Sequence, residues 1–160
     1  MKKILSKWLM GEVVHKETVD APFEEVMDKL KQSVADHGFG IQAIHDLKQT
    51  YMKKHLALSP DFEYRIVEIC EPAKSYKALT DMSYDMGVMM PKSIIVARED
   101  GKTTLRYMKL KPWMVAMMFP ELDVAPLSAK VSGTMDKIIQ GTRALIEQNK
   151  QGVETGNPEV

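Results

Sequence analysis

A thiol can act as a nucleophile, a sulfur carrier or a soft metal ligand, and this chain has one, Cys70, in the stretch VEICEPAKSY at residues 67–76. The reactive form is the thiolate, which nearby cations or a helix N-terminus favour and nearby carboxylates oppose. Glu68 and Glu71 flank Cys70 while Pro72 is suited to start a helix, so the two influences act in opposite directions. A small side chain buried at a strand end is the reading that fits, since free cysteine is among the most buried residue types. The alternative is a single-thiol or metal site around Cys70, in sulfur or copper handling. Of the four histidines, at 15, 37, 45 and 55, none forms an i, i+4 pair or another ligand spacing. His45 precedes Asp46, which can orient an imidazole as a general base, and His45 therefore joins Cys70 as a thiol-site candidate. No glycine-rich phosphate loop and no nucleophile elbow is present, so no catalytic residue, metal ligand or cofactor is assigned, and a non-enzyme is expected.

Methionine offers a different chemistry. The chain has 13, clustered in MSYDMGVMM and WMVAMMF. Flexible thioether side chains fill irregular cores and adapt to varied apolar partners. Residues 113–119 are seven consecutive apolar residues between Pro112 and Pro120. Read as a connection between regular elements, such a run must be covered by the sheet, a second subunit, a ligand or lipid. Trp113, Met114, Met117, Met118 and Phe119, with Met89 and Met90, are the candidate ligand or interface residues, and Trp113 and Phe119 are the expected anchors.

The whole composition narrows the function classes. Lys plus Arg and Asp plus Glu are 22 each, so the formal net charge is zero and general attraction to nucleic acid is not expected. One cysteine forms no intrachain disulfide, and the apolar runs are far shorter than the ~20 residues that span a bilayer, so a reducing cytoplasm is the default location. The opening MKKILSKWLMGE has lysines before an apolar stretch, but Lys7 interrupts it and no small-residue cleavage site follows, which argues against an export signal. As a helix it sets Ile4, Leu5, Trp8 and Leu9 against Lys2, Lys3 and Lys7, so residues 2–10 suit peripheral membrane contact or docking on a partner.

The elements that would position these residues follow from pattern. Residues 12–19 are β-branched enough for a first strand. Asp20 is the expected N-cap of a helix in which Phe23, Val26, Met27, Leu30 and Val34 recur at helical spacing, and Gly38 ends it. Phe39, Ile41 and Ala43 alternate as a half-buried strand, and residues 47–57 form a short polar helix or loop. FEYRIVEIC has apolar side chains on both faces, as an interior strand does; Pro72 then starts a brief helix with Tyr76 and Leu79. Asp100-Gly101 marks a hairpin turn. A last helix is expected over 126–149, its Leu127, Val131, Met135, Ile138, Leu145 and Ile146 forming one stripe, and Gly133 and Gly141 let it approach the strands. The expected fold is therefore α+β, a two-layer sandwich of strand, helix, four strands, helix, with a mainly antiparallel sheet and the helices on one face. One domain spans 12–149, between an N-terminal amphipathic segment (1–11) and a flexible tail (150–160).

APFEEV at the first helix, HGFGI at its end, ICEPAKSYKAL, GVMMP before the hairpin and DGKT at its turn occur in an order that resembles the family known as domain of unknown function 302, over roughly residues 12–110 with weaker agreement in the final helix. The resemblance implies the same two-layer domain, often as a homodimer, with no established activity. Members of that family commonly carry asparagine where this chain has Glu71 and a second cysteine where it has Lys92, so any paired-thiol site loses one sulfur here. The expected function is a non-enzymatic binding or assembly module, a homodimer or larger homo-oligomer whose Met/Trp surface takes a small apolar ligand or a partner protein.

Overall fold

The computed structural model describes residue 4 and residues 10–155, with side chains as far as residue 152. The expected N-terminal amphipathic segment lies mostly outside these residues. Strand β1 (Val14–Val19) leads to helix α1 (Phe23–Asp36), β2 (Gly40–Asp46), α2 (Leu47–Lys53), β3 (Tyr64–Cys70) and α3 (Pro72–Lys77). After two further turns, Ala78–Met82 and Tyr84–Met89, come β4 (Lys92–Glu99), β5 (Lys102–Met108), α4 (Pro112–Met118) and α5 (Ala125–Thr155). The strands form one sheet in the order β1-β5-β4-β3-β2, every neighbouring pair antiparallel. The fold is α+β, as its pattern indicates.

One face of the sheet and the inner stripes of α1 and α5 make the core. Val67, Ile69, Ile94, Val96, Leu105 and Tyr107 point up from the strands; Val26, Met27, Leu30 and Val34 come down from α1, and Met135, Ile138, Ile139 and Ile146 from α5. Each fully buried aliphatic side chain contributes about 1.5–3 kcal/mol. Arg65 of β3 fastens α1 to the sheet: its guanidinium forks onto Glu24 at 2.7 and 2.8 Å, reaches Asp46 at 3.3 Å and lies 5.0 Å from the centre of the Phe23 ring. The hydrogen bonds from Arg65 hold the Glu24 carboxyl below its usual range.

Local details depart from expectation for identifiable reasons. Asp20 does not cap α1: the cap position falls at Pro22, which supplies no side-chain acceptor. The other end is as the sequence indicates, with Gly38 at φ +77° and bonds from Gly38 N–H to Ala35 O and from Phe39 N–H to Val34 O closing the last turn. In β2 the alternation breaks. Ile41 pairs with Ile69 but Ala43 pairs with Glu68, so a bulge at Gln42 turns Ala43 away from the core and leaves Ile44 on the core side at the sheet edge. At the hairpin, Asp100 and Gly101 take φ +52° and +75°, the two left-handed positions that a two-residue turn requires.

The last helix runs to Thr155, beyond the expected end at 149; residues 156–160 of the expected tail lie outside the described residues. Its glycines do not approach the strands as expected. A Cβ at Gly141 would stand 2.5 Å from Ser33 Oγ and 3.1 Å from His37 Cε1, so Gly141 marks the crossing of α5 over α1; around Gly133 there is open space. At that crossing the Ser33 hydroxyl donates to Ile138 O at 2.8 Å.

A second fastening joins α5 to the end of β5. Tyr107 OH donates to Asp136, Lys109 Nζ donates to the other oxygen of Asp136 at 2.6 Å, and the His15 ring lies 5.2 Å from that of Tyr107. Burial alone would raise the Asp136 pKa, but the hydrogen bonds from Lys109 and Tyr107 outweigh it and the carboxyl sits below its usual range. Burial and the Asp136 carboxylate together push the Tyr107 phenol up.

The helix crossing and the Asp136 fastening are each open to substitution. Gly141→Ala is expected to destabilise the chain by about 1–3 kcal/mol, since the added methyl must displace Ser33 from its bond, whereas Gly133→Ala gains up to about 1 kcal/mol of helix propensity; urea unfolding of both variants checks the opposite signs. Because the Asp136 pKa is lowered in the fold, its contribution is present above the unfolded value near 3.8 and is lost as the pH falls through the folded value. Asp136→Asn therefore narrows the gap between urea midpoints at pH 6 and pH 3, and an unchanged gap would refute this role.

Candidate binding surface

Beyond the end of the sheet where β3 stops and β4 begins, the chain builds a second, smaller core. Pro72 occupies the first helical position of α3, and the Glu71 carboxylate accepts from Lys74 N–H at 3.0 Å, closing the helix start. The helix then widens over Ala78–Met82 and gives way, after Ser83, to the tight turns of Tyr84–Met89. Ala78, Met86, Val115 and Val124 are buried together, with Leu79, Met82, Met89, Met90, Leu110, Ala116, Phe119, Leu122 and Leu127 packed around them. Residues 113–119, expected as a connection, are for the most part helix α4; Pro112 sets its first turn and Pro120 follows its end.

The helix α4 is therefore two-sided. Val115 is 4% exposed on its inner side, while Met117 is 73% exposed and Trp113 and Met118 more than half exposed on the outer. Met114 is half-buried. Phe119, Met89 and Met90 face inward and pack against the second core, so of the two expected anchors Trp113 points to solvent and Phe119 does not. The 76–90 segment adds Tyr76, Tyr84 and Val88, each at least two-thirds exposed. Sequence reasoning did not place these three in the site, because Tyr84 and Val88 lie in tight turns that do not follow the 3.6-residue period of an α-helix.

Cys70 and His45 are set apart from each other. Cys70 ends β3, half-buried, paired with Gly40. The helix N-terminus beyond it is occupied by the Glu71 carboxylate, which also lies 3.4 Å from Lys74 Nζ. His45 pairs across the ladder with Ile66, about 13 Å along the strand from Cys70. Asp46 does not orient that imidazole: its oxygens accept from Gln49 N–H and Arg65, and the carboxylate near His45 Nε2 is that of Glu68, at 3.4 Å. Lys92 pairs with Ile69 and so points to the opposite face of the sheet from Cys70. Partial burial lowers its pKa. Among the described residues no three His, Cys, Asp or Glu side chains come together as a metal site, and no helix is long and apolar enough to cross a membrane.

Residues 15–142 match the family described as Domain of unknown function DUF302. The chain belongs to the DUF302 family. The match reaches well into α5, past the roughly 12–110 over which the sequence motifs carry the resemblance. Among solved structures, this DUF302 chain is similar to the crystal structure of an uncharacterized conserved DUF302 protein from Bacillus stearothermophilus, with a TM-score of 0.71 and 21% identity over 82% of this chain and 98% of that one. At that identity the likeness is one of fold. No curated protein matches.

The division of α4 into two sides has a measurable consequence. Val115→Ala is expected to cost about 1–3 kcal/mol through loss of second-core packing, while Trp113→Ala and Met117→Ala each change stability by less than about 0.5 kcal/mol. Thermal unfolding of the three variants checks it; comparable losses at all three positions would mean that the outer side chains belong to the fold itself.

Proposed function

We propose that this DUF302 chain is a non-enzymatic binding or assembly module, homo-oligomeric, that uses the Met/Trp surface of α4 and the neighbouring 76–90 segment to take a partner protein or a small apolar ligand. One observation carries the reading: Trp113, Met117, Met118, Tyr84 and Val88 stand exposed on segments whose inner sides are fully used in packing. Exposed large apolar side chains concentrated on one unit mark interaction sites more often than scattered ones do, and methionine and tryptophan suit adaptable and anchoring contacts respectively. A single cysteine, Cys70, fits a reducing compartment such as the cytoplasm.

Native mass spectrometry and light scattering test the reading together. Wild-type protein is expected as an oligomer or with a bound apolar molecule, and Met117→Glu loses that state while its stability stays within about 0.5 kcal/mol of wild type. A ligand-free monomer that also fails to enhance the fluorescence of an apolar dye would sink the proposal.

A further inference from the structure

Two open clefts meet at Arg98, at the hairpin end of the sheet. The first, of about 390 Å³, is lined by the β1–α1 connection and the start of β5, with Asp20, Phe23, Arg98 and Lys102 among its walls. The second, of about 300 Å³, is lined by the hairpin turn and the segment leading into β3, with Asp61, Phe62, Arg98 and Asp100. Both volumes fall at the lower end of small-molecule sites, and their walls are fastened. Thr103 Oγ1 donates to Ala21 O at 2.9 Å in the first, Arg98 N–H donates to Glu63 O at 2.9 Å beside the second, and the Phe62 ring has Tyr51 and Tyr64 at 5.9 and 6.3 Å.

Charge distinguishes these clefts from the rest of the molecule. Arg65, Arg106 and Arg143 each bind a carboxylate, whereas Arg98 has no side-chain partner among the described residues. Lys102, Asp20, Asp61 and Asp100 are likewise without one among the described residues. The carboxylates next to these linings in the chain are already committed within the fold, Glu24 to Arg65, Glu63 to Lys48, and Glu99 to Lys16 and Arg106. The first cleft therefore has two cations against one carboxylate and the second two carboxylates against one cation, with Arg98 common to both. Taken together, three carboxylates stand against two cations, so a simple anion is not favoured and a simple cation meets Arg98 and Lys102.

We propose that the two clefts bind the two ends of a short free peptide, its terminal carboxylate between Arg98 and Lys102 and its terminal ammonium beside Asp61 and Asp100. A ligand with both charges, held apart, is the one that matches both clefts at once. Each extended residue spans about 3.3–3.6 Å, so two or three residues reach past the one side chain that the clefts share. Phe62 adds an aromatic wall on the ammonium side. Exposed charge pairs attract only modestly, so binding is weak and its selectivity comes from the need for both ends. None of the lining residues belongs to the Met/Trp surface, and the inference stands apart from that reading.

Amide NMR of the full chain, titrated with trialanine at low salt, tests this. Saturable shifts are expected at Phe62, Arg98, Gly101 and Thr103 with a Kd of about 1 mM, weakening as salt rises. N-acetyl-trialanine and trialanine amide, each without one terminal charge, are expected to bind about fivefold more weakly. Arg98→Gln weakens trialanine and N-acetyl-trialanine alike, by about fivefold, whereas Asp61→Asn weakens trialanine about threefold and leaves N-acetyl-trialanine unchanged. Neither substitution moves the thermal midpoint, because neither side chain has a partner in the fold to lose. Absence of saturable shifts at these residues up to about 20 mM trialanine overturns the site. Binding of acetate or N-acetyl-trialanine as tight as that of trialanine makes it a simple anion site, and equally tight binding of trialanine amide a simple cation site; either result overturns the peptide inference.

Discussion

The packing of α1 against α5 is the constraint on which the rest of the molecule depends. Both helices must lie on one face of a five-stranded sheet, and they fit side by side because Gly141 carries no side chain where Ser33 and His37 come through. The close approach makes its own polar demands. Ser33 is buried between the helices, and its hydroxyl is satisfied by the carbonyl of Ile138, while His37 Nδ1 bonds to Ser33 O at 2.7 Å. Had α5 stood further off, Ile138, Ile139 and Ile146 would not reach the strands that they now cover.

The two cores divide the work of the chain. The main core uses almost every inward side chain of α1, the strands and α5, and its Arg65 and Asp136 fastenings fix the helices against the sheet. The second core is small, with four buried residues at its centre, and its segments are short. A unit with few inward positions has proportionally more outward ones. That geometry explains why apolar residues left over from packing collect on α4 and the 76–90 segment, whereas the opposite face of the sheet carries a mixed, internally paired set that includes Lys16, Glu99 and Arg106.

Much of the architecture was legible because it rests on short-range chemistry. The α1 stripe, the Gly38 stop, the Asp100-Gly101 turn and the helix start at Pro72 are each written in a few neighbouring residues. What was not legible depends on partners far away in the chain. The bulge at Gln42 shows only when β2 is set against β3, and the role of Gly141 appears only when α1 crosses it. Asp46 was read beside His45 because they are adjacent in sequence, yet alternation along β2 sends them to opposite faces, one to Arg65 and the other to Glu68. The methionine-rich run was recognised as needing cover, but seven apolar residues in a row do not reveal which are inward; the helix of α4 settles that for Val115 and Met117.

The order of the strands also bears on how the chain comes together. β2, β3 and β4 each pair with the strand that follows, so each pairing closes a modest loop. β1 instead joins the far side of β5, with Val14 opposite Met108, and everything between has to be gathered before that ladder can zip. During synthesis from the N-terminus, β1 waits unpaired until its partner has left the ribosome. Three consecutive residues within it, His15, Lys16 and Glu17, are polar enough to keep a waiting strand in water, and the same polarity later serves the network at the sheet edge.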